Sequence, residues 1–343
     1  MDRRKWIQTL AAAGLLGPTG LLRAAAEGLS VESVDDLPKI EGELTLYLGR
    51  GEGGLYGDIL EAIEKRNPDL DLKVRRGPSS ALANTIVAES GAGVSRADVF
   101  WAIDSGSIGR VVNNAKAFPL PSSIRGLLKP DFRFDAWAPV SGRIRTLPFN
   151  TQRLDRADVP KSVMALPDSD LEFGWAPAYG AFQSFVTAMR LLEGDAATKE
   201  WLRAMRAKAR SYAGEFGVVM AVQRGEVDLG LANHYYTLRL KKGRPDASVD
   251  LAFTRNDAGC LLNTSGAVLL SDRPQARLFV RHLLSREVQR YLSNEAYEIP
   301  LVAGVNPPSG LPPIAEISPP TVDLEKLGNL RPTLDLLRES GVL

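Results

Sequence analysis

The chain has 343 residues, of which 44% are hydrophobic and 24% charged, with 42 Lys and Arg against 41 Asp and Glu. So even a balance supplies no basic stripe for nucleic acid and no polybasic patch for a membrane surface, and the length favours two domains over one. Cys260 is the single cysteine, which excludes a disulfide framework, a Cys-based zinc or iron–sulfur site and a lipid-bearing cysteine near the N-terminus.

The N-terminal segment reads as an export signal. Arg3, Arg4 and Lys5 precede an apolar run from Trp6 to Leu22, which ends at Ala24-Ala25-Ala26 before Glu27. Gly14, Gly17, Pro18 and Gly20 interrupt a run already short for a membrane span, so residues 1–26 are expected to be cleaved. The paired arginines suit the twin-arginine pathway as well as an ordinary secretory signal. Cleavage removes four basic residues and one acidic one, leaving 38 against 40.

Residues 43–48 predict a buried strand, Gly49, Gly51, Gly53 and Gly54 a loop, and residues 57–65 a helix. Asn67-Pro68 stops that helix. Leu70, Leu72 and Val74 then alternate as a second strand, completing a βαβ unit with parallel pairing. A helix at 80–90 and a strand at 97–103 follow, so the N-terminal third is open-sheet α/β. A second α/β series begins near Pro148, with a strand at 173–175, helices at 180–193, 197–208 and 216–224, and a strand at 227–232. Residues 260–270 form an apolar strand, and helices at 274–284 and 286–294 mark a return to the first lobe. The proline-rich remainder ends in a short helix near 332–339, read as a surface strap rather than a third domain. These elements divide into a first lobe, 43–140 plus 265–343, and a second, 141–264. Two α/β lobes joined by more than one crossing make a hinged cleft, and such folds bind ligands beyond the carboxyl ends of their strands.

The segment most informative for chemistry runs from Gly230 to Gly243, where a buried strand meets Asn233-His234-Tyr235-Tyr236 and then a helix. At such a turn adjacent side chains can lean into one crevice, whereas on a continuing strand they would oppose each other. A bound trivalent cation and the positive end of a helix dipole both favour the phenolate over the phenol. Hard oxygen donors match iron(III) ahead of copper or zinc. Residues alone leave a second reading open, in which Tyr235 and Tyr236 are half-buried aromatics with hydrogen-bonded hydroxyls. Arg50 and Arg143, in loops near the crevice, are candidates to fork onto a planar oxyanion or to form salt bridges. His234 can ligate or can orient the turn through its ring nitrogens. Arg50-Gly51-Glu52 lacks the spacing of a phosphate-binding loop. With His234 and His282 the only histidines and no nucleophile or metal-protease motif, an enzyme is not expected.

The chain resembles the ferric-ion-binding proteins of bacterial ABC importers through nearly the whole of the sequence after the signal. Besides Asn233-His234-Tyr235-Tyr236, the resemblance is carried by Tyr47-Leu-Gly-Arg50-Gly-Glu52, Ala97-Asp98-Val-Phe100, Ser141-Gly-Arg143-Ile-Arg145, Gly174-Trp-Ala-Pro177 with Phe182-Gln183, Arg224-Gly-Glu-Val227 and Tyr297-Glu-Ile-Pro-Leu-Val302. It implies an α/β, two-lobed periplasmic-binding-protein fold of the type II kind. It also implies a monomer of the periplasm or cell surface that binds Fe(III) through Tyr235 and Tyr236 and delivers it to a membrane permease. The first loop and a small synergistic anion such as carbonate would fill the other positions. Two departures stand out. Phe149 occupies a place where relatives often carry a tyrosine, and Gly51 lies where many carry a histidine, leaving Glu52 as that loop's anionic oxygen. Tyr47, Tyr56 and Tyr179 are possible substitutes. The competing expectation is a binding protein of the same fold for a small organic anion or an intact ferric chelate; a sensor that closes on ligand is a third.

Overall fold

The computed structural model describes residues 30–49 and 55–343; the expected signal over 1–26 and the loop residues Arg50 and Glu52 lie outside them. Strand β1 (Gly42–Gly49) pairs in parallel with β2 (Leu70–Gly77) and β3 (Val99–Ala102). The helices Leu55–Arg66 and Ser79–Gly91 make the crossovers between them. This is the expected βαβ arrangement. Leu44, Leu46 and Leu48 bury one face of β1 in the main first-lobe core, while Tyr47 joins a separate cluster with Leu82, Phe100 and Trp137. No helix among the described residues is long and apolar enough to cross a membrane.

The strand β4 (Ala138–Asn150), 13 residues long, is the spine of the molecule. Its first half pairs antiparallel with β10 (Leu262–Leu269) and β11 (Ile299–Pro300). Its second half pairs with β7 (Leu229–Gly230), β8 (Ala232–Asn233) and β9 (Val249–Ala252). One strand thus passes from lobe to lobe. Pro139, Gly142 and Pro148 punctuate this segment and burial on both faces leaves no alternation, so the expected second series starts only near Pro148 although the strand begins at Ala138. The structure accommodates Pro139 opposite Gly266, where the register shifts. In the second lobe β5 (Phe173–Trp175) lies parallel to β6 (Ala209–Ser211) and β7. Its core is aromatic, with Trp175, Phe182, Phe185 and Trp201 packed edge-on or tilted.

The tail makes a further crossing. The 3-10 turn Leu324–Gly328 presses on the helix Ser105–Asn114 so closely that a Cβ on Gly328 would lie 2.1 Å from the Gly106 carbonyl oxygen. The next helix, Leu330–Glu339, packs on the second lobe, with Leu336 and Leu337 in its core and Thr333 bonded to Thr187 at 2.8 Å. Placing all of 265–343 in the first lobe is therefore corrected for this helix. Its apolar face finds the helix Gly180–Glu193, not the first-lobe sheet.

Candidate functional site

The turn carrying the tyrosines is held by buried charge. Arg145 on β4 pairs with Glu215, the first residue of the helix Glu215–Gln223, and both are almost wholly buried. The other Glu215 oxygen accepts from the Asn233 N–H at 2.9 Å, and Arg145 donates to the Leu231 carbonyl at 3.2 Å. Phe182 and Phe185 lie against the Arg145 guanidinium, with ring centroids 5.6 and 4.9 Å away. The end of β8 and the start of the helix His234–Gly243 are thereby fixed on the spine strand.

His234 is fully buried. Its Nδ1 accepts from the Ile144 N–H at 3.2 Å and its Nε2 reaches the Tyr297 carbonyl at 2.6 Å. That pattern puts the ring proton on Nε2. Burial pushes its pKa down to about 4, against the pull of the backbone hydrogen bonds, so the ring is neutral at ordinary pH. With both nitrogens engaged by backbone, His234 orients the turn and is not an accessory ligand.

Tyr235 is buried; its hydroxyl accepts from the Asn233 side-chain amide at 3.3 Å. The Tyr235 and Tyr236 rings lie 4.5 Å apart at 54°, so the adjacent phenols do lean together at the helix start. The hydroxyl of Tyr236 lies 2.8 Å from that of Tyr179, which precedes the helix Gly180–Glu193 as its N-cap residue. A cleft of about 390 Å³ opens beside them. Asp104, Ser107 and Arg110 line it from the first lobe, Arg143 and Arg145 from the spine strand, Asn263 from β10 beside it, and Tyr179, Gln183, Asn233 and Tyr235 from the second lobe. Burial opposes the Arg143 charge, but Tyr235, Glu298, Tyr56 and Asp104 more than offset it and hold its pKa above the ordinary arginine value. Among the described residues no three His, Cys, Asp or Glu side chains form a metal cluster; the hydroxyl oxygens that meet here are those of Tyr179 and Tyr236.

Other expected residues fall elsewhere. Tyr47 donates to Glu89 at 2.9 Å and accepts from Arg75 at 3.2 Å, away from the residues lining the cleft, and burial raises its pKa. It is packing, not an accessory ligand. Tyr56 stacks on Trp101 with centroids 4.3 Å apart and donates to the Glu298 carboxylate; burial, reinforced by that carboxylate, raises its pKa. Phe149 is buried in the second-lobe core with the Arg156 guanidinium 5.6 Å from its ring centroid. Asp104 went unnoticed in the sequence. It caps the helix Ser105–Asn114, accepting from the Ser107 N–H at 2.7 Å and hydroxyl at 3.0 Å. The available signal was an Asp three residues before Ser107 at a strand end, a capping pattern obscured by Gly106 and Gly109.

Residues 44–297 match the family described as bacterial extracellular solute-binding protein. The chain is 30% identical over 343 residues to the Fe(3+)-binding periplasmic protein of Serratia marcescens, covering 96% of this chain and 98% of that one. It is 31% identical over 312 residues to the major ferric iron-binding protein of Neisseria meningitidis serogroup A, covering 88% and 93%. Among solved structures it is similar to iron-bound HitA from Pseudomonas aeruginosa, with a TM-score of 0.77, 30% identity, and 89% and 100% of the two chains covered. Apo ferric ion-binding protein A of Pasteurella haemolytica, at 20% identity and TM-score 0.74 over 87% and 98% of the chains, shares the fold. The family match spans most of the chain, and relatives of this identity cover nearly all of it: the chain belongs to the bacterial extracellular solute-binding proteins.

Proposed function

We propose that this protein is exported, captures Fe(III) between its lobes through the phenolates of Tyr235 and Tyr236, and delivers it to an ABC permease. The observation that carries this reading is the pair of leaning phenols at the N-terminus of the helix His234–Gly243, beside a cleft between lobes. The helix dipole and a trivalent cation both stabilise phenolate there. The names of the relatives at about 30% identity, Fe(3+)-binding periplasmic protein and major ferric iron-binding protein, support the same cargo and compartment. Arg3 and Arg4, followed by Lys5 and Trp6, favour the twin-arginine route slightly over an ordinary secretory signal.

In this mechanism the second lobe binds the ion first. Arg143 holds a synergistic anion such as carbonate against the metal. The loop bearing Arg50 and Glu52 then arrives from the first lobe, with Glu52 as an additional oxygen ligand. The hinge is the spine strand together with the return into β10. Closure marks the loaded form, and a permease that favours the closed form gains direction from that population shift. Titrating iron-stripped protein with ferric nitrilotriacetate should raise a visible tyrosinate-to-iron charge-transfer band at one iron per chain. The Tyr235→Phe, Tyr236→Phe double variant should be folded and lack it; stoichiometric iron binding by that variant would sink the assignment.

One observation favours a second reading. A cleft of about 390 Å³, with Arg143 and Arg145 on its wall, has room for more than an ion and one small anion. An intact ferric chelate or an organic anion would then be the cargo, and calorimetry with ferric citrate against iron-free citrate separates the two.

A further inference from the structure

We infer that Tyr179 supplies a third phenolate to the ferric ion, forming with Tyr235 and Tyr236 a three-phenolate face on the second lobe. The inference rests on the ferric reading above and names a ligand that the paired-tyrosine motif does not contain.

Three observations carry it. The Tyr179 and Tyr236 hydroxyl oxygens stand 2.8 Å apart. Neighbouring donors on an octahedral ion with metal–oxygen bonds of about 2.0 Å also stand about 2.8 Å apart, so the two oxygens already have the spacing of adjacent ligands. Tyr179 and Tyr235 both line the cleft, with Arg143 and Asn233 between the lobes. Finally, two separate helix N-termini meet here. Tyr179 is the N-cap residue of the 14-residue helix Gly180–Glu193, and Tyr236 lies in the first turn of the 10-residue helix His234–Gly243. Each helix places the positive end of its dipole beside a phenol, which favours its anion.

The inference also accounts for Phe149. Its ring is buried in the second-lobe core and brings no oxygen to the cleft. Tyr179 reaches the tyrosine pair from a different element. As iron binds, each phenol O–H bond breaks, an oxygen–iron bond forms and the proton passes to solvent. Three phenols release one more proton per ion than two. No electron is transferred, so the ion stays ferric.

The alternative is that Tyr179 only donates a hydrogen bond to the Tyr236 phenolate. Loading weakly buffered, iron-stripped protein with ferric nitrilotriacetate distinguishes them, with the band and the proton count recorded for wild type and Tyr179→Phe. The substitution removes one oxygen from a half-buried side chain, and an unchanged unfolding transition certifies the fold. With Tyr179 as a ligand, the variant binds iron at least about 10-fold more weakly, since even outer partners of a metal site cost that much. Its charge-transfer band is weaker and moves to longer wavelength, and it releases one proton fewer per iron. A variant whose band and proton count match wild type overturns the third phenolate while leaving the tyrosine pair intact. A wild-type protein with no band overturns the ferric reading itself, and this inference with it.

Discussion

The two walls of the cleft are built differently. On the second lobe, the tyrosine turn is backed by the buried Arg145–Glu215 pair, by Asn233 and by a His234 ring with both nitrogens bonded. On the first lobe, Asp104 and Ser107 satisfy each other as a helix cap, Ser79 accepts from the Ile103 N–H, and Arg110 is exposed. The second wall is preorganised around its ligand atoms, whereas the first spends its polar groups on its own backbone. In the proposed mechanism this difference suits the second lobe to capture and the first to covering, because fixed donors lose little freedom when a ligand arrives.

The largest test of that contrast replaces one arginine on each side. Arg145→Met leaves Glu215 buried without its charge partner, and breaking such a pair by removing one member costs about 3–5 kcal/mol. The urea midpoint should fall accordingly, and iron affinity with it, because the Asn233 anchor loosens. Arg110→Met, at an exposed position on the facing wall, should stay within about 0.5 kcal/mol. Equal losses in the two variants would erase the asymmetry.

A second test uses pH. The His234 pKa falls from the ordinary 6.5 to about 4, so below pH 6.5 the unfolded chain binds a proton that the folded chain refuses. The unfolded state then holds more protons, and stability must drop as pH falls. The contribution is fully present above pH 6.5 and is lost progressively down to about pH 4, amounting to on the order of 3 kcal/mol. Urea midpoints measured across that window should show this slope in wild type and a shallower one in His234→Gln. The same acidification protonates phenols and weakens iron binding, so the slope is to be measured on iron-free protein.

Much of this architecture was legible in the sequence, and the unread parts share a cause. The βαβ start, β5 with its helices and the tyrosine turn all announce themselves through local periodicity and punctuation. β4 does not: a strand buried on both faces and broken by Pro139 and Pro148 shows no alternation, and its role comes from partners over 80 residues away, such as Asn233 opposite Arg145. The final helix shows its own period but not which lobe receives it, since Leu336 and Leu337 would bury equally well on either. At the site, Tyr235 and Tyr236 could be picked out by adjacency. The Tyr179–Tyr236 contact joins residues 57 apart in sequence, and Asp104 faces Arg143 only because the spine brings them together. Local chemistry can be read from the chain; convergence depends on the fold.

The smallest effect is expected at Asp104, where the contrast can be examined most finely because one carboxylate both caps a helix and faces the cleft. Asp104→Ala should cost about 1 kcal/mol, the usual loss for an N-cap. Asp104→Ser keeps a capping oxygen and removes the charge, so it should recover most of that stability. If the first wall merely covers the ion, both variants should bind iron within a few-fold of wild type, since their cleft-facing change is the same and the phenols are untouched. Iron affinity that collapses in both, with stability restored only in the serine variant, would make Asp104 a ligand and the first lobe a partner in capture. Affinity that follows stability instead, weak in alanine and normal in serine, would mean that the first lobe contributes through the rigidity of the helix Ser105–Asn114.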